Sequence, residues 1–202
     1  MKKALAVLAL SAVSLPAFSA SVTLDFEGVD GFSSVGDFYN GGAGTNFGVS
    51  FTDAVLALVN DELGPYFSNA PTPGTVIFAD DATATMNVAA GFSGNLQFHY
   101  SALNSTLDAV KIYSGLNGTG DLLGQISLSG NAQLGGCSDS PYCNWQEVSL
   151  SFAGVAQSAV FASAANMGFD NVTITPVPEP GTYAMLGLGL GLLGLVARRR
   201  RA

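Results

Sequence analysis

The sequence predicts an all-β domain of two antiparallel sheets packed as a sandwich, bracketed by a signal peptide at residues 1–20 and a membrane-directed tail at 177–202. Three observations carry this. Between residues 21 and 176, short runs alternate apolar and polar side chains with a period of two, which turns one face of a strand inward and the other to water. Clusters of Gly, Asn, Ser and Pro separate these runs. Both chain ends depart in composition from the middle, being apolar and flanked by basic residues.

Taken in order, the clearest alternating runs are 22–26, 47–51, 96–100 and 148–152, with further strands expected at 75–79, 85–90, 109–114, 122–128, 159–164 and 169–175. Asn117-Gly118-Thr119-Gly120 is the clearest hairpin turn, because Asn and Gly accept the left-handed backbone that tight turns require. Residues 53–60 are the one candidate for a short helix. A stretch of this length is enough for one domain with a real core. Cys137 and Cys143 flank a short loop before Trp145, and in an oxidising compartment they are expected to pair. Closing so small a loop stabilises by about 2 kcal/mol through the entropy of the unfolded chain.

The N-terminus reads as a secretory signal. Met1-Lys2-Lys3 is a basic start, 4–15 an apolar run, and Pro16 to Ala20 a small-residue cleavage zone with the cut after Ser19 or after Ala20. At the other end Pro178-Glu179-Pro180 precedes a 15-residue uncharged Gly- and Leu-rich stretch, 183–197, which leads into Arg198, Arg199, Arg200 and Arg201. A bilayer core takes roughly 20 apolar residues as a helix, so this span is short. The arginines stay on the cytoplasmic side and place the domain across the membrane. The two prolines keep the segment before the span extended and open to a protease. Gly189, Gly191 and Gly194 match G-x-G-x-x-G, but with no strand before them and no βαβ unit after them they are not a dinucleotide fingerprint.

This order of acidic dipeptide turn, apolar span and arginine cluster resembles the PEP-CTERM tail of exopolysaccharide-producing Gram-negative bacteria. The resemblance implies that exosortase, a membrane enzyme, recognises and cuts the tail at the inner membrane. The product would then reach the cell surface or an extracellular matrix and associate there with exopolysaccharide.

Charge narrows the partners. From residue 21 through Glu179 there is one basic residue, Lys111, against fifteen acids, a net charge of −14. Phosphate backbones are repelled by such a surface, which excludes nucleic acid as a partner. Catalytic constellations are missing as well. The only histidine, His99, shares a strand face with Gln97, and no G-x-S-x-G nucleophile elbow occurs. The adjacent acids Asp61-Glu62 and Asp80-Asp81 would point to opposite faces of a strand and could not flank one glycosidic bond.

Leu24-Asp25-Phe26-Glu27-Gly28, Val110 to Gly115 running into Gly120-Asp121-Leu122-Leu123, and Gly168 to Ile174 resemble a jelly-roll group found in carbohydrate-binding and MAM-like modules. The resemblance implies that the first and last strands lie side by side and that a structural calcium joins Glu27 to Asp170. Because calcium takes six to eight oxygens, Asn46 or Asp30 would help complete the shell. Tyr142 and Trp145, beside the cysteine loop, are the candidate stacking platform for a sugar; Trp145 as a core residue closing one end of the sandwich is the competing reading. The function expected is that of a non-enzymatic envelope or matrix component. A lectin-like carbohydrate-binding module is the alternative, and a polysaccharide hydrolase stands third.

Overall fold

The computed structural model describes residues 20–161, 166–178 and 187–191. Nine strands follow in chain order: β1 (Val22–Leu24), β2 (Val49–Phe51), β3 (Val55–Val59), β4 (Thr75–Ala79), β5 (Thr85–Ala102), β6 (Thr106–Tyr113), β7 (Leu122–Leu128), β8 (Gln146–Phe161) and β9 (Met167–Ile174). Every pairing is antiparallel. One sheet runs β3-β4-β9, continues through the second half of β5 to the first half of β8, and carries β1 on β9. The other runs from β2 through the first half of β5 and the second half of β8 to β6 and β7.

β5 and β8 therefore belong to both sheets. The sequence reads each as two separate strands, 85–90 with 96–100 and 148–152 with 159–164. The structure instead has single strands of 18 and 16 residues with register shifts in their middles. Glycine explains the difference. Gly91, Gly94 and Gly154 all have positive φ, so the ladder bulges and turns a corner where a side chain would have ended it. At Gly91 a Cβ would lie 2.4 Å from a Val155 methyl, so any other residue would have to displace that side chain as well as hold a positive φ.

Between the layers lies one apolar core. Phe161 of β8 meets Phe169 of β9 edge-on at 5.0 Å between ring centroids, and Phe169 in turn meets Phe98 of β5 at 5.7 Å. Residues 53–60 are not helical but contain β3. Its sequence Val-Leu-Ala-Leu-Val is apolar on both faces, so it lacks the alternation that marks a half-buried strand. On its outer side Leu58, with Val76 of β4 and Phe67 from the β3–β4 loop, forms a second small cluster. The expected turn at 117–120 is present: Asn117, Gly118 and Gly120 all have positive φ between β6 and β7.

Residues 1–19 of the expected signal peptide at 1–20, and the tail residues Glu179, Pro180 and Arg198 to Arg201, lie outside the described residues. Within the tail Gly187–Gly191 is helical, and among the described residues no helix is long and apolar enough to cross a membrane. The domain does not stop short of the tail. Pro176 bridges to Phe92, and the Val177 amide donates to the Gly91 carbonyl at 2.8 Å. Of the segment expected to be open to a protease, the first residues are thus held against the β5 bulge.

Candidate functional site

Glu27 and Asp170 come together where β1 and β9 pair. Val22, Thr23 and Leu24 stand opposite Ile174, Thr173 and Val172, so the first and last strands are neighbours. Asp170 is wholly buried. The Thr72 amide donates to its Oδ2 at 2.9 Å, the Thr72 hydroxyl lies 2.9 Å from both oxygens, and the Asn171 amide donates to Oδ1 at 2.7 Å. Glu27 Oε1 accepts from the Gly74 and Thr75 amides at 2.9 and 3.0 Å. The two carboxylates thus clamp the loop entering β4 from both sides. A Cβ at Gly74 would sit 2.0 Å from Glu27 Oε2, so glycine is what lets the loop come this close.

Burial pushes the Asp170 carboxyl up to about 6, and the Glu27 charge adds to this, while the Thr72 and Asn171 hydrogen bonds pull it back. The oxygens gathered here, two carboxylates with Thr72 Oγ1 and Asn171 Oδ1 3.1 Å apart, are the hard donors that calcium takes, yet fewer than its usual six to eight. Among the described residues no group of three or more His, Cys, Asp or Glu side chains is placed to hold a metal. Of the helpers expected from the sequence, Asn46 accepts instead from its neighbour Gly48. Thr72 and Gly74 were not legible as partners, because nothing in a Pro-Thr-Pro-Gly loop marks it for a particular acid.

Cys137 and Cys143 form a disulfide, with Cα atoms 5.9 Å apart. The loop they close lies on the outer face of β3 and β4. Trp145 is half-buried there, its Nε1–H donating to the Ser68 carbonyl at 3.0 Å and its ring edge-on to Phe67 at 6.4 Å. Tyr142 is half-buried beside it and bridges to Phe67. Both rings cover Leu58, Phe67 and Val76 while keeping part of their surface in water.

Further along the same face, Phe32, Tyr66 and Phe78 make a third aromatic group. Phe32 meets Tyr66 at 5.8 Å and Phe78 at 6.5 Å, edge-on in both cases. Nothing in the sequence marks Phe32, which lies in a long Gly-rich loop that offers no period. His99 Nε2 lies 3.5 Å from a Glu147 oxygen on the polar face of β5 and β8, where Gln97 also donates to Glu147. That face carries a hydroxyl ladder, Ser21 with Thr175 at 2.9 Å and Thr23 with Thr173 at 2.7 Å, and His99 stands opposite Glu147 of β8 on one side and Asp170 of β9 on the other.

Compared with known proteins, residues 176–201 match the PEP-CTERM protein-sorting motif. The chain therefore carries that motif, the mark of an exported protein that is anchored at the membrane and then processed by exosortase. No curated protein matches the sequence. Among solved structures, the cleaved K2 adhesin domain of Lys-gingipain is similar at TM-score 0.48 and 15% identity, over 77% of this chain and 99% of that one. A family 6 carbohydrate-binding module is similar at 0.41 and 17%, over 62% and 85%. A β-1,3-glucan-binding family 6 module from Bacillus halodurans is similar at 0.39 and 14%, over 79% and 96%. At these values nothing about ligand or activity passes to this chain.

Proposed function

We propose that the mature domain is a non-enzymatic component of an extracellular polysaccharide matrix, exported by its N-terminal signal and released at the membrane through its tail. The observation that carries this reading is the sorting motif at 176–201, which begins while the chain is still hydrogen-bonded to the sheet at Val177. Cargo and signal form one continuous piece. In support of a non-catalytic role, the buried Asp170 is engaged by backbone and hydroxyl donors, and His99 lies 3.5 Å from the Glu147 carboxylate. The test is fractionation of cells expressing the full chain, with mass spectrometry of the C-terminus. A processed product in the matrix fraction is expected, and an intact chain that keeps its four arginines in the cell interior would overturn it.

A lectin-like role within that matrix is favoured by a specific observation, the run of partly exposed rings on the outer face of β3 and β4. Tyr142 and Trp145 would flank the ligand. We also propose that calcium binds at the β1–β9 junction, held by Glu27 and Asp170 with Asn171 and Thr72 beside them; the ion would neutralise two adjacent acids and lock the loop entering β4. Titration calorimetry with calcium on chelator-treated protein is expected to show one site that Asp170→Ala removes. Equal heats in both proteins would refute it.

A further inference from the structure

Phe32 is placed at a cost that the fold does not explain. Its φ is 58°, in the left-handed region that suits glycine or asparagine and is an outlier for a bulky side chain. Yet the residue is 54% exposed. Phe26 shares the backbone strain, with φ 60°, but there the ring is wholly buried and the Tyr39 hydroxyl caps its amide at 2.6 Å, so packing accounts for it. At Phe32 burial does not offset the strain, since the side chain stays in water. Its amide is pinned to the Ala57 carbonyl at 2.8 Å, which sends the ring outward. Edge-on contacts to Tyr66 and Phe78 then fix its plane. Tyr66 is itself held, its amide donating to Asn60 Oδ1 at 2.8 Å and its hydroxyl to Asp61 Oδ2 at 3.4 Å. Backbone strain of this kind collects at functional sites, and an exposed ring held in one plane is a surface on which a ligand can stack.

We propose that Phe32, with Tyr66 and Phe78 behind it, is the stacking surface for an uncharged hexopyranose polymer; this rests on the lectin-like reading above. The surroundings choose the ligand. Asp30, Asp61 and Glu62, all exposed, stand near these rings in the chain, and the domain carries a single lysine. Such a rim repels a second copy of this domain, an anionic lipid surface and a uronate polymer alike. Anions being repelled, and a basic partner being drawn to the whole acidic domain and not to these rings in particular, the partner that answers both parts of the site is a neutral one with an apolar C–H face for the ring and hydroxyls to donate to the carboxylates. A hexopyranose has both. The ligand's hydroxyls would find Asp61 already oriented by the Leu63 amide, which donates to Oδ1 at 2.8 Å.

The experiment measures retention of the domain on a panel of insoluble and soluble polysaccharides, neutral and uronate-containing, for the wild type, Phe32→Gly and Phe32→Trp, alongside thermal melts and sedimentation. Wild type is expected to bind at least one neutral polymer and no uronate polymer. Phe32→Gly is expected to weaken that binding at least tenfold while the melting temperature holds or rises, since glycine relieves the left-handed strain. Phe32→Trp is expected to keep it. Wild-type binding that Phe32→Gly retains overturns this assignment and leaves the lectin-like reading intact, whereas a wild type that binds no polymer overturns both. A fall in melting temperature with Phe32→Gly, or a self-association that it abolishes, assigns the ring to folding or to a dimer and likewise overturns the proposal.

Discussion

Asp170 makes the stability of the calcium-free domain depend on pH in the sense opposite to a salt-bridged carboxylate. Its folded value is about 6 against 3.8 for an unperturbed aspartate, because burial and then the neighbouring Glu27 disfavour the charged form. A folded-state pKa above the unfolded one means that the native protein holds the proton more tightly. The stabilisation is therefore full below about pH 4 and is lost as pH rises through about 6. A shift of roughly two units corresponds to about 3 kcal/mol between those limits. The hydrogen bonds support both states: once protonated, the carboxyl can donate to Thr72 Oγ1, whose own hydrogen can turn to Asn171 Oδ1, 3.1 Å away. Urea unfolding of chelator-treated protein between pH 4 and 7.5 measures the slope. Relief of general acidic repulsion on acidification runs in the same direction, so the control is Asp170→Asn, which cannot titrate. The variant is expected to lose most of the wild-type slope. Identical slopes in the two proteins would refute the reasoning.

Calcium added at pH 7 is expected to raise the wild-type melting temperature and leave Asp170→Asn unmoved, read by differential scanning calorimetry. Trp145→Phe deletes the indole donor to the Ser68 carbonyl but keeps most of the ring, so a loss of about 1 kcal/mol in urea melts is expected, with Trp145→Ala costing more as the cluster over Leu58 and Val76 opens. Gly91→Ala combines a positive φ with a 2.4 Å approach to Val155 and is expected to destabilise by at least about 2 kcal/mol; unchanged stability would mean that the β5 corner is softer than its packing suggests. Replacing both Cys137 and Cys143 by serine is expected to cost about 2 kcal/mol, checked against reduced wild type.

How far these features could be read from the sequence depends on whether they are local. Period-two alternation at 22–26 is a property of neighbouring residues, and its first three residues form β1; the further strand expected at 122–128 is β7. β3 lacks the signal because burial on both faces erases the alternation, and what buries its outer face comes from loops with no period of their own, Phe67 from the β3–β4 loop and Trp145 from far along the chain. The corners of β5 and β8 were misread for a related reason. A glycine between two apolar runs marks a turn or a bulge equally well, and the choice is made by Val155 and Ala156 packing over Gly91. At the junction site the acids Glu27 and Asp170 were identified from motif resemblance, but their partners Thr72 and Gly74 are set by the path of one loop, which no local pattern specifies.

The place where domain and tail meet ties fold to export. Ser93 donates to the Thr175 carbonyl at 3.1 Å and Val177 to Gly91 at 2.8 Å, so only Pro178 separates the last sheet contact from Glu179. Anchored through its tail as the motif implies, a domain with so short a tether would be held close against the membrane until that tail is cut, and its net charge of −14 would then face headgroups that carry negative charge of their own. Repulsion of that kind favours release once the covalent link is gone. It also favours fraying of 175–177 beforehand, since the few hydrogen bonds at the end of β9 are the cheapest in the sheet to open and each residue freed lengthens the tether by about 3.3 Å. The bulge at Gly91 that lets β5 serve two sheets is thus the same feature that anchors the chain at the threshold of its sorting signal, so packing inside the sandwich and exposure of the processing segment depend on one stretch of backbone.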